Sequence, residues 1–117
     1  MSQPSRQLAV IGASNGTTSM IDYAVWAGGE GLPEVAAMGF MTGGTYTENQ
    51  TAMADVPKVP AIFTYAAEER AWSVAQQPLD PGTWSFREYA DGDHGTKMFE
   101  AEPEVADHLD AFFTGVL

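Results

Sequence analysis

The sequence predicts an α/β fold with three layers: a mainly parallel, four-stranded sheet with flanking helices. Four short apolar runs alternate with turns and with helical or irregular stretches, and the first three runs are almost continuously apolar. Continuous runs are typical of strands covered on both faces, whereas half-exposed strands alternate between apolar and polar residues. We therefore expect parallel strands in sequential order with right-handed crossovers. The runs are Leu8–Ile11, Val35–Met41, Val59–Tyr65 and Trp84–Tyr89.

Helices are expected between and after these strands. One is predicted from about Thr17 to Ala27, where a glycine pair follows, and another from about Arg70 to Gln77, where Pro78 follows. Thr47 to Ala54 forms at best a short, weak helix. The clearest helix is the last, from Glu104 to Leu117, with Pro103 tolerated at its start. Its polar face carries Glu104, Asp107, Asp110 and His108, and we expect this histidine to be a solvated surface residue.

Length and charge limit the function classes. The 117 residues fit one domain, 1–117, with residues 1–6 expected to be disordered. Five Lys and Arg against sixteen Asp and Glu give a net charge of −11, which argues against nucleic-acid and anionic-membrane partners. The chain has no cysteine, which excludes disulfides and thiolate metal sites. The first seven residues lack the apolar stretch of a secretory signal, so we expect a cytoplasmic location.

The first strand runs directly into a glycine-flanked serine, Gly12-Ala-Ser14-Asn-Gly16, and then into a helix. This G-x-S-x-G pattern is typical of a sharp strand-to-helix turn that exposes a serine nucleophile in strained backbone angles. The flanking glycines are expected to avoid side-chain clashes in that turn. Ser14 would lie at the carboxyl edge of the sheet, and the backbone N–H of Asn15 would face a developing oxyanion.

A second interpretation of the same turn is a nucleotide-binding loop of the short-chain dehydrogenase type, T-G-x-x-x-G-x-G. Ile11 stands where that pattern has threonine, and Thr18 stands where it has its last glycine. The catalytic Y-x-x-x-K of those enzymes is also missing, because no tyrosine has a lysine four residues later. This alternative is therefore the weaker one.

A serine nucleophile needs a base and an acid. His94 follows the fourth strand in a loop with glycine on both sides, where a neutral imidazole can take the serine proton and return it to the leaving group. Glu69, just after the third strand, is the preferred partner to orient that imidazole. Glu68 is the nearby alternative and Asp80 a distant third. The chain order serine, acid, histidine is the order of α/β-hydrolases.

On these residues the chain resembles the α/β-hydrolase family, near its dienelactone-hydrolase and carboxylesterase-like members. Val10 to Gly16 is similar to the family's fifth strand and nucleophile elbow, and Val59 to Glu69 to its seventh strand and acid turn. Gly92 to Thr96 resembles the histidine loop. The acid turn departs from the pattern, because Ala66 stands where the family usually has glycine and Glu69 where it usually has aspartate.

The resemblance implies a serine esterase that needs neither a metal nor an organic cofactor and acts on small-molecule esters. The resemblance covers only the C-terminal half of a hydrolase domain. The second backbone N–H of the oxyanion hole, which the family supplies from an earlier loop, would then be missing, and activity would be weak. Candidate walls of an acyl pocket are Trp26, Met41, Tyr46, Trp72 and Met98.

The half-domain resemblance also has consequences for assembly. The strand at 8–11 becomes an uncovered apolar edge, which predicts a homodimer across that edge or a separate N-terminal half. The alternative function is a catalytically impaired remnant that serves as an assembly or interaction module.

Overall fold

The computed structural model describes residues 8–27, 35–44, 56, 58–90 and 97–116. In these ranges, four strands form one parallel sheet, with helices on both of its faces. The strands are β1 (Leu8–Ala13), β2 (Val35–Met41), β3 (Ala61–Ala66) and β4 (Trp84–Tyr89). The helices are α1 (Gly16–Ala27), α2 (Ala71–Ala75), α3 (Met98–Ala101) and α4 (Glu104–Val116). This confirms the predicted three-layer α/β class.

The strand order β1-β2-β3-β4 follows the chain, as predicted. Every residue of β3 is buried and β2 is nearly so, which explains their continuous apolar runs. β1 and β4 are the two edges of this sheet. In β1 most residues are only half-buried, and Ile11 is 53% exposed. In the described part of the chain β1 therefore has no neighbour on its outer side, in agreement with the uncovered edge expected for this strand. The two-sided helix cover that its apolar run predicted is incomplete, because most of its residues are only half-buried.

One face of the sheet carries an aromatic cluster. Phe40, Phe63 and Phe86 occupy paired positions on β2, β3 and β4. Their rings stack in a column with centroid distances of 4.6 and 4.7 Å. Helices α1 and α2 cover this face, α2 through Trp72, whose ring centroid lies 6.0 Å from that of Phe40.

The opposite face packs against α3 and α4. Its core contains Met41 of β2, Ile62 of β3 and Tyr89 of β4, together with Met98, Val105 and Leu109 from the helices. Gly39 lets α4 approach β2, since a Cβ atom there would lie 3.1 Å from the Phe113 ring. The final helix begins one residue after Pro103, close to the prediction.

The helix predicted over 70–77 is shorter than expected. Within this range the α-helix is limited to α2, Ala71–Ala75. A single 3₁₀ turn over Gln77–Leu79 follows it. Proline disfavours α-helical geometry in the residue before it, so Pro78 ends the regular helix early. The weak helix predicted over 47–54 and the disorder expected for residues 1–6 lie outside the described residues.

Candidate functional site

Ser14 occupies the turn between β1 and α1 with a φ of 54°. This left-handed conformation is uncommon for residues other than glycine and costs roughly 1–2 kcal/mol. The backbone on both sides holds it there. The Ser14 N–H donates to the Met41 carbonyl at 2.9 Å, and the Ser14 carbonyl accepts from Thr17 through its N–H (3.0 Å) and its hydroxyl (2.7 Å).

The two glycines of the motif have different roles. A Cβ atom on Gly12 would lie 2.9 Å from the Gly16 carbonyl oxygen and 3.0 Å from the Thr17 Cα, so the chain can reverse here only without a side chain. A Cβ atom on Gly16 would meet nothing within 4 Å. The expectation that both glycines avoid a clash therefore holds for Gly12 and is wrong for Gly16, because that position faces open space.

The serine turn leads into the N-terminus of α1. This end of a twelve-residue helix carries partial positive charge, and the first turn of α1 holds no acidic side chain to neutralise it. Asn15 is exposed directly before the helix, and its carbonyl accepts from the Thr18 N–H at 3.2 Å. An oxyanion beside Ser14 would thus lie close to oriented backbone N–H groups.

A second strained residue, Thr42, follows β2 immediately beside the serine turn. Its φ is 52°, it is 1% exposed, and its N–H donates to the Thr64 carbonyl at 2.8 Å. Gly43 comes next, and a Cβ atom there would lie 2.3 Å from the Trp72 ring. Sequence reasoning missed Thr42; the glycine pair that follows it was the available signal of unusual backbone at that strand end.

Met98 connects α3 to this edge of the sheet. Its side chain is fully buried, and its sulfur accepts from the Thr42 hydroxyl at 3.4 Å, with the Thr64 hydroxyl 4.0 Å away. The first turn of α3 therefore packs at the ends of β2 and β3, one strand from Ser14.

The candidate acids lie at two different ends of the sheet. Glu69 ends the 3₁₀ turn that directly follows β3 and is half-buried, whereas the neighbouring Glu68 is exposed. Both follow the carboxyl end of a parallel strand, as Ser14 does. Asp80 instead precedes β4, where its carboxylate accepts from the N–H groups of Gly82 (2.7 Å) and Trp84 (3.1 Å). It fixes a turn at the amino ends of the strands, whereas Ser14 lies at their carboxyl ends. Asp80 is therefore too far from Ser14 to be the acid of a catalytic triad.

The two histidines have different outcomes. His94 lies outside the described residues, and its role stays a prediction. His108 is half-buried, and its Nδ1 lies 2.5 Å from the hydroxyl of Tyr89, whose ring stacks on it. The expectation of a solvated His108 is therefore wrong, because the helix face next to β4 is turned toward Tyr89.

The proposed pocket walls are dispersed. Trp26 is 52% exposed on α1, and Met41 is buried against the α3 and α4 side of the sheet. Trp72 and Met98 contact the residues that follow β2, on opposite faces of the sheet. Tyr46 lies outside the described residues.

Comparisons with known proteins add nothing to this geometry. No protein-family model, curated protein or solved structure matches the chain. Among the residues that the structure describes, no three histidine or acidic side chains come together as a possible metal site. Across those same ranges, no helix combines the length and the apolar character that crossing a bilayer demands.

Proposed function

We propose that the protein is a serine hydrolase that cleaves esters of small carboxylic acids, similar to α/β-hydrolases of the dienelactone-hydrolase and carboxylesterase type. The observation that carries the proposal is the backbone of Ser14. A non-glycine residue held at positive φ between a parallel strand and a helix is the strain that a nucleophile elbow requires, and such strain clusters at functional sites.

In this mechanism the Ser14 hydroxyl attacks the ester carbonyl and loses its proton to His94. The Asn15 N–H and the N-terminus of α1 stabilise the negative charge on the carbonyl oxygen. His94 then protonates the leaving alcohol, which departs from an acyl-enzyme. Water, deprotonated by the same imidazole, releases the acid and regenerates Ser14.

Glu69 is the proposed acid because of its strand. β1 and β3 are separated by β2 alone, so the carboxyl ends of these two strands lie about 10 Å apart, the width of two strand spacings, and Glu69 is the third residue beyond β3. A histidine hydrogen-bonded through both ring nitrogens can bridge a serine and a glutamate over that distance. The half-buried position of Glu69 favours it over the exposed Glu68. The expected cytoplasmic location stays a prediction.

A fluorophosphonate probe tests this proposal, since it reacts covalently with activated serines. We expect labelling of the wild-type chain and none of Ser14→Ala. The matched control is Ser19→Ala, which removes an exposed serine from α1 and should leave labelling unchanged. His94→Gln should slow labelling by about 10²–10⁴-fold, because the base is lost. Glu69→Gln should also slow it, while Glu68→Gln should not.

Absent labelling of the wild-type chain, or equal labelling of Ser14→Ala, would overturn the hydrolase proposal. A second candidate, an assembly module without catalysis, would then be favoured. It is supported by β1, an edge strand that contains no charged side chain and exposes Ile11. Such edges are templates for pairing with another chain.

A further inference from the structure

A cavity of about 220 Å³ lies between β4 and α4, away from Ser14. Its walls come from the middle of β3 and β4 and from one side of α4: Ile62, Ser85, Arg87, His108, Ala111 and Phe112. β4 is three strand spacings from β1, which is about 14 Å. The cavity is therefore separate from the serine turn, and a ligand bound in it would be independent of the proposed hydrolase activity.

The lining divides into an apolar and a polar half. Ile62, Ala111 and Phe112 form the apolar half. The polar half contains Ser85 and Arg87, two residues apart on β4, and His108 from α4. Successive strand residues point to opposite faces, so these two side chains share the face covered by α4. The intervening Phe86 packs on the other face.

His108 is fixed by Tyr89. Burial raises the pKa of Tyr89 above its usual 10.0, with Arg87 opposing and Glu104 and Glu102 adding to the rise. The phenol therefore keeps its proton at neutral pH, and its hydroxyl is hydrogen-bonded to Nδ1 of His108. With the phenol as the donor, the neutral imidazole carries its ring proton on Nε2, and this second nitrogen is then a hydrogen-bond donor for a ligand.

Arg87 is a cation without a carboxylate partner in the described part of the chain. The salt bridge found there joins Arg70 to Glu88 at 3.8 Å, on neighbouring elements. A guanidinium offers a planar pair of N–H donors that matches a carboxylate. With Nε2 of His108 and the Ser85 hydroxyl, it gives the polar half of the cavity an excess of donors.

We propose that this cavity binds a small carboxylate with an apolar body, the carboxylate on Arg87 and the body against Phe112 and Ile62. The volume sets the ligand size: about 220 Å³ is below the roughly 300–1,000 Å³ of sites for drug-sized ligands. A single ring or a short branched chain bearing one carboxylate fits this description, and benzoate is a suitable probe.

The test is a titration of the full chain with sodium benzoate, followed by amide chemical shifts in two-dimensional NMR spectra. We expect saturable shifts at Arg87, His108 and Ala111, with a Kd of about 1 mM or tighter for a ligand of this size. Arg87→Gln should weaken binding about tenfold or more, because the charged hydrogen bonds are lost. Arg87→Lys should also weaken it, since a lysine cannot make the paired contact.

The matched control is Arg70→Gln, which removes an exposed arginine paired with Glu88 and should leave the Kd unchanged. Glu88 follows Arg87 on β4, so its side chain points away from the cavity, to the opposite face of the sheet. Ala111→Phe is a second variant that fills the cavity without changing its charge, and it should abolish binding. Tyr89→Phe should weaken binding several-fold, because His108 loses the hydrogen bond at Nδ1 and its ring proton is no longer held on Nε2. Each spectrum also shows whether the variant is folded.

Three results would overturn the proposal. One is a Kd that Arg87→Gln and Ala111→Phe leave unchanged. The second is acetate binding as tightly as benzoate, which would contradict the apolar half of the site. The third is inorganic phosphate binding more tightly than benzoate, which would show that Arg87, His108 and Ser85 form a phosphate site rather than a carboxylate site.

Discussion

At the scale of single residues, the serine turn depends on three unlike contributions. Ser14 adopts a strained φ, its neighbours' hydrogen bonds hold that strain in place, and Gly12 leaves room for the first turn of α1. A turn that kept only one of these would relax toward ordinary backbone angles. The strain therefore belongs to the whole strand-turn-helix unit rather than to the serine alone.

Substitution of the two motif glycines tests their separate roles. Gly12→Ala should lower the free energy of unfolding by about 1–3 kcal/mol, because its Cβ would overlap the Gly16 carbonyl. Gly16→Ala should be neutral or stabilising by up to about 1 kcal/mol, since its Cβ has open space and alanine favours the helix. Urea unfolding measures both. Equal destabilisation by the two variants would contradict the different roles assigned to them.

Sequence reasoning worked well for residues whose role is local and less well for the others. Ser14 and Glu69 were expected just beyond the carboxyl ends of β1 and β3, and they lie there: Ser14 directly after β1, and Glu69 at the end of the 3₁₀ turn that follows β3. Their chemical roles stay predictions. The contact of His108 with Tyr89 joins residues on a strand and a helix, so no local pattern reveals it. Asp80 stayed open as a distant third acid because only the structure shows that it precedes β4 and bonds the turn there.

At the scale of elements, the edges of the sheet differ. β4 carries Arg87 and Glu88, whereas β1 has no charged side chain in its six residues. Charged residues on an edge strand discourage pairing with other chains. β1 lacks this protection in the described part of the chain, and we propose that a second copy pairs with it.

Placing one charge on this edge should prevent such pairing. We expect the wild-type chain to sediment as a concentration-dependent dimer and Ile11→Lys to sediment as a monomer, because a charge on an edge strand disfavours pairing with another chain. Val25→Lys is the matched control, since Val25 is also exposed but lies on α1. A wild-type chain that stays monomeric at high concentration, or two variants that behave alike, would exclude pairing through β1.

The order of the elements could be predicted from the sequence, and their ends could not be predicted as well. Continuous apolar runs identified β2 and β3 because helices cover both faces of these strands. β1 extends two residues beyond the predicted Ile11, to Ala13, because its last residues pair with Phe40 and Met41. Such pairing depends on the neighbouring strand, so the local hydropathy pattern of β1 cannot predict where this strand ends.

At the scale of the whole molecule, the ionisation of two buried tyrosines, one on each face of the sheet, makes the free energy of unfolding depend on pH. Burial raises the pKa of Tyr65 on one face, with Glu88 adding and Arg70 opposing, and burial likewise raises the pKa of Tyr89 on the other. Above pH 10.0 the unfolded chain loses phenolic protons that the folded chain keeps. The unfolded state then binds fewer protons, so stability falls as pH rises.

Alkaline unfolding should show this linkage. We expect the free energy of unfolding to decrease from about pH 9 to about pH 11, as the unfolded phenols titrate. The double variant Tyr65→Phe, Tyr89→Phe should be less stable at neutral pH but should lose less stability over the same interval. Urea unfolding at each pH measures both slopes. Parallel slopes for the two proteins would contradict the tyrosine origin of the effect.

The sequential order of the strands also bears on how the chain is made. β1, β2, β3 and β4 leave the ribosome in the order in which they pair, so each new strand meets a neighbour that has already been synthesised. The column of Phe40, Phe63 and Phe86 can therefore grow by one ring at a time. A nascent chain that ends after β3 contains both Phe40 and Phe63, which form the first stacked pair. Synthesis of β4 then adds Phe86, which stacks on the exposed side of Phe63.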